Sequence, residues 1–159
     1  MEKISTVVPE TKQFGVGRNQ NNLAWERWGV LYARLALGLA FLSAVASRFG
    51  LWNRTFDMKY FAHFIQFTAK LLFFMPSGLI PFFAWAATAA ESTLGILLIL
   101  GLWPRWVSLG AAILLALFAT SMAISLGLEA PMEYSVFSAS SAAVLLMLHA
   151  SRQNPTNRE

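Results

Sequence analysis

Cysteine is missing from all 159 residues. The chain therefore has no disulfide, no thiolate metal site, no Cys-x-x-Cys redox pair and no cysteine-ligated iron–sulfur cluster. Charge is scarce as well. Only 13% of residues are Asp, Glu, Lys or Arg, against ~25% in an average soluble domain. A phosphate loop, a zinc motif and a dinucleotide fingerprint are also absent. What is present is apolar: 57% of the chain is hydrophobic and the mean hydropathy is +0.54. Such a chain cannot keep its surface wet as a water-soluble monomer. The composition indicates a polytopic membrane protein, and the length admits one domain. The net charge of +4 is not a nucleic-acid signature, because no basic helix interleaves with aromatics. Basic residues beside membrane spans set orientation and meet anionic lipid.

Four apolar runs are long enough, or nearly so, for the ~20 residues a span requires. They are Trp28–Arg48, Leu79–Gly101, Trp106–Gly127 and Glu133–Ala150. Residues 1–27 and 151–159 read as polar tails. Ala44-Val45-Ala46 resembles a signal-peptidase site, but the polar segment before it is too long for a signal peptide and Arg34 interrupts the apolar stretch. The expectation is an uncleaved span. Between the first two runs lies residues 59–75. Lys59, His63, Gln66 and Lys70 recur there at spacings of four, three and four, which is one stripe of a helix. With Phe61, Phe64, Phe67 and Leu71 around the rest, this reads as an interfacial amphipathic helix. The fold class expected is all-α: an integral membrane four-helix bundle with one additional interfacial helix.

Four spans put both tails and the Trp103–Trp106 turn on one side. Lys3, Lys12, Arg18, Arg27, Arg105, Arg152 and Arg158 lie there, against Arg48, Arg54, Lys59 and Lys70 on the other. An excess of basic residues marks the cytoplasmic face, so both termini are expected in the cytoplasm and the amphipathic helix outside.

Two ionisable residues interrupt the spans: Arg34 in the first and Glu91 in the second. A charge at the bilayer centre costs ~2.5–3.5 kcal/mol on insertion scales. Counted from the cytoplasmic ends, Arg34 lies ~8 Å deep and Glu91 ~15 Å. In antiparallel neighbours an arginine can bridge most of that gap, so the expectation is an Arg34–Glu91 pair. Small residues on the same faces (Gly38, Ala84, Ala87, Gly95) favour close approach. Such a pair serves as a register-fixing bridge, as the polar floor of a quinone, lipid or substrate pocket, or as part of a proton path, in falling order. His63, Lys70 and Trp85 are candidate quinone or lipid contacts beside it. No catalytic set is legible, since no serine has a base in its own layer. His63 and His149 fall on opposite sides of the membrane and cannot share a haem iron. The chain holds no intrinsic cofactor or metal set.

Two stretches, Ala33–Leu42 led by Arg34, and Ala90–Arg105 with Glu91, Gly95 and a Gly-Leu-x-x-Arg turn, resemble the DoxX family of small bacterial four-span membrane proteins. The likeness covers about residues 28–150. It implies a four-helix bundle in the bacterial plasma membrane, and in some members a subunit of a quinone-linked oxidoreductase. On that footing the chain is expected to be a non-catalytic accessory subunit of a larger redox-linked complex, with other membrane subunits and the bilayer as partners. A stand-alone quinone-linked oxidoreductase and a small transporter are the rival expectations.

Overall fold

The structure, a computed structural model, describes residues 20–153. Residues 1–19 and 154–159, which carry most of the two expected tails, lie outside the described residues. Six α-helices follow in order: α1 Gln20–Arg48, α2 Met58–Leu71, α3 Ile80–Leu100, α4 Pro104–Leu126, α5 Glu129–Glu133 and α6 Val136–Gln153. No strand occurs among the described residues. Three helical segments are long and apolar enough to cross a membrane: Ala24–Arg48, Ser77–Leu100 and Pro104–Leu126. At ~1.5 Å per residue, the 18 residues of α6 span ~27 Å, a little short of a ~30 Å hydrocarbon core. The architecture is the membrane helical bundle that the hydropathy suggests.

Local chemistry sets the helix ends. α1 begins eight residues ahead of the expected span. The segment Gln20–Arg27 contains no Pro or Gly, and Leu23, Ala24, Glu26 and Arg27 propagate a helix well. Gly50 closes α1 in the left-handed region (φ 70°). A Cβ there would lie 2.6 Å from both the Thr55 carbonyl oxygen and the Tyr60 ring, so no other residue fits. Asp57 caps α2 by accepting from the Lys59 amide at 2.9 Å. α2 ends at Leu71 rather than Met75. Pro76 disfavours helical geometry just before it, and the Leu71 carbonyl accepts from Ser125 Oγ on α4 instead. Pro81 and Pro104 sit in the first turns of α3 and α4, where a missing amide hydrogen costs nothing. The last helix starts at Val136, not Glu133, because the short α5 and a left-handed Ser135 (φ 53°) intervene.

The bundle consists of two tight antiparallel pairs, α1 with α3 and α4 with α6, joined by sparser contacts. Within the first pair, Gly38 faces Gly95. A Cβ on Gly38 would stand 2.9 Å from the Gly95 carbonyl oxygen. In the second pair Ala111, Ala112 and Ala143 are buried, and Ser140 Oγ donates to the Ala112 carbonyl at 3.1 Å. Lipid is as apolar as leucine, so close packing between small residues, not burial from water, holds such pairs together. Large apolar side chains point outward, among them Leu39, Ile96, Leu117, Ile124 and Leu145. A contiguous core of Leu37, Phe41, Leu98, Val107, Leu115 and Leu146 fills the half nearer the α3–α4 turn.

α2 crosses the opposite end. Its start is tied to the end of α1, through Asp57 N–H to the Phe49 carbonyl and through Tyr60 against Gly50. Its finish is tied to the end of α4 through Ser125. Both anchors sit at one end of the bundle, so the ~21 Å rod lies over that end. Phe61, Thr68 and Leu71 face inward; Lys59, His63, Gln66 and Lys70 are all exposed.

Candidate functional site beneath α2

Glu91 is 2% exposed, on the inner face of α3 with Ala84, Thr88, Gly95 and Leu98. Its partner is not Arg34. Arg48 Nη2 donates to Glu91 Oε1 at 2.7 Å, and Arg48 Nη1 donates to Thr88 Oγ1 at 3.0 Å. Thr88 sits one turn before Glu91 on the same face, so a single guanidinium spans both. The Phe64 ring of α2 covers the Arg48 Cζ at 3.7 Å, a cation–π contact that gains strength away from water. One side chain thus binds three helices. Beside it stacks an aromatic cluster: Phe49 on Phe56 and Phe61, and Phe61 on Trp85 at 4.3 Å between centroids. Glu91 Oε2 is buried without a hydrogen-bond partner.

Side-chain direction explains why Arg48 displaces Arg34. Cα–Cβ bonds tilt toward a helix N-terminus. Glu91 therefore leans toward the start of α3, which is the α2 end, and Arg48 leans back down α1 to meet it. Arg34 leans the other way. The Gly38–Gly95 crossing fixes the register, placing Arg34 and Glu91 on opposite sides of it and ~12 Å apart along the axis. The expected Arg34–Glu91 pair is thereby corrected: these residues form two separate contacts.

Arg34 closes on the end of α3. Its Nε and Nη2 both donate to the Leu98 carbonyl oxygen at 3.1 Å. The last carbonyls of a helix lack intrahelical partners and carry the negative end of its dipole. In the terminal turn, Gly101 (φ 74°) and Leu102 both donate to the Leu97 carbonyl. That leaves Leu98 to Arg34, which supplies the contact a Schellman turn would otherwise draw from Gly101. A Cβ on Gly101 would overlap the guanidinium, so glycine is required there both for its backbone angle and for room.

The other expected site residues are scattered. Trp85 lies in the aromatic cluster near Arg48, half-exposed. His63 and Lys70 are exposed on α2, and no contact joins them to Glu91. His149 does more than anchor at an interface: its Nδ1 is 3.1 Å from Glu26 Oε1, and its Nε2 is 2.7 Å from Gln153 Nε2. This links α1 to α6 at the end opposite α2. No group of three His, Asp or Glu side chains that could hold a metal ion occurs among the described residues.

Comparison with known families adds one match. The model of the family described as methylamine utilisation protein MauE matches residues 26–133. No curated protein and no solved structure matches the chain. The match contains both stretches on which the DoxX likeness rested and overturns it. The structure shows why those stretches mislead. In this chain the arginine-led span caps α3, and the Glu-x-x-x-Gly span supplies an ion pair and a glycine crossing, which are packing devices and identify no family.

Proposed function

The chain belongs to the MauE family of membrane proteins, and from that premise we propose that it acts as a non-catalytic accessory component of a redox-linked pathway. The observation that carries this reading is the use of the in-span charges. Arg34, Arg48 and Glu91 are all engaged in holding helices to one another. Utilisation of an amine, which the family's description names, is oxidative chemistry. A chain with no cysteine contributes to it by holding or orienting partners in the bilayer. In this reading the membrane is a bacterial plasma membrane, both termini are cytoplasmic, and α2 faces outward. Glu91 Oε2, buried without a hydrogen-bond partner, supports a finer reading in which this end shapes a quinone or lipid headgroup site in the assembled complex.

Extraction from its native membrane in a mild detergent, followed by mass analysis of the intact particle, tests the main reading. A stoichiometric second protein is the expected result. A chain that purifies alone, with no stoichiometric partner, would overturn it.

A further inference from the structure

We propose that the exposed face of α2 is a docking surface for the phosphodiester headgroup of an anionic phospholipid. Four donor side chains share that face: Lys59, His63, Gln66 and Lys70, all exposed. They extend over twelve residues, ~16 Å of helix, and none carries a negative charge. The helix presents them from a fixed position. Asp57 caps one end, Ser125 holds the other, and Phe61, Thr68 and Leu71 seal the underside. The amphipathic rings of Trp52 and Tyr134 are exposed at the same end of the bundle. Rings of this kind settle at headgroup depth. A basic stripe held at that depth faces phosphates, because no other anion is concentrated in that layer.

Charge assigns unequal parts to the two lysines. Lys59 Nζ stands 3.9 Å from Asp57 Oδ2, so part of its field is already answered. Lys70 has no such neighbour within salt-bridge distance among the described residues. The remaining acids at this end, Glu129 and Glu133, belong to α5, which packs on α4 and α6. The basic and acidic groups thus occupy different helices. A lysine near an anionic surface contributes about fivefold in affinity, and Lys70 carries the larger share.

The test is native mass spectrometry of the full chain released from nanodiscs of equal phosphatidylcholine and phosphatidylglycerol. The expected result is at least ~3-fold enrichment of retained phosphatidylglycerol. Lys70→Gln should lower the enrichment more than Lys59→Gln, and Lys59→Gln/His63→Gln/Lys70→Gln should abolish it, with the helical circular dichroism unchanged. Lys59→Arg/Lys70→Arg should retain it. Arg105→Gln/Arg152→Gln, at the opposite end, should leave it intact. Equal retention of the two lipids by the native chain overturns the proposal. So does enrichment that survives the triple substitution, or that disappears only with the pair at the other end.

Discussion

Arg48 and Glu91, 43 positions apart in the chain, meet at 2.7 Å with the carboxylate 2% and the guanidinium 11% exposed. The inequality in burial makes the pair asymmetric. Arg48→Met leaves a carboxylate buried without a counter-charge, at about 3–5 kcal/mol. Glu91→Gln leaves a guanidinium near the rim, still in contact with Thr88 and Phe64 and able to turn toward headgroups, at about 1–2 kcal/mol. Unfolding free energies in mixed micelles would check the order. Equal costs, or the reverse order, would refute this account, and the double variant should cost less than the sum of the singles.

Gly101→Ala should destabilise by about 2–4 kcal/mol. It adds strain at a positive φ, and it expels Arg34 from the Leu98 carbonyl, a charge-assisted bond of about 1.5–3 kcal/mol. In an Arg34→Ala background the same change should cost only about 1 kcal/mol. Gly29→Ala, in a helix interior with nothing within 4 Å, should be neutral or stabilising by up to about 1 kcal/mol. Thermal melts of the four variants measure the coupling.

The α1–α3 crossing makes its own demand. A Cβ on Gly38 meets the Gly95 backbone oxygen at 2.9 Å, which cannot rotate away. A Cβ on Gly110 meets only the end of the Leu94 side chain at 3.2 Å. Gly38→Ala should therefore cost about 1–3 kcal/mol and Gly110→Ala much less. Equal melting temperatures for the two variants would show that the crossing is not tightly packed.

The lack of native cysteine makes topology simple to read. Lys70→Cys and Arg152→Cys should react with a membrane-impermeant maleimide from opposite sides. The proposed orientation puts Lys70 outside in intact cells, with Arg152 labelled only after permeabilisation. Labelling of both from one side would contradict the position of α2 across the end away from the α6 C-terminus.

Hydropathy and the four-three-four spacing made the bundle and the amphipathic face of α2 readable from sequence. They rest on local periodicity, which a single chain displays. The ion pair is not legible from depth alone, although its pieces are in the sequence. Depth counted from span ends treats a side chain as a point, which puts Arg34 within reach of Glu91. The tilt of Cβ toward each N-terminus separates them, and Thr88 one turn from Glu91 matches a guanidinium arriving from the α2 end. Arg48 passed as a flanking charge because it ends a span, yet its long side chain runs back into the bundle. The Glu26–His149 link depends on which helix ends become neighbours, and nothing local in sequence signals it. The early start of α1 does not show in hydropathy, because polarity ends a membrane span but not a helix.

Arg34 leaves the ribosome 64 positions ahead of the carbonyl it caps. Through that interval its positive charge has no acceptor on α3, and reaching up to the water-facing layer is its cheapest refuge. The side chain that finishes α3 is therefore supplied by α1, and it has its carbonyl partner only once the two helices have paired.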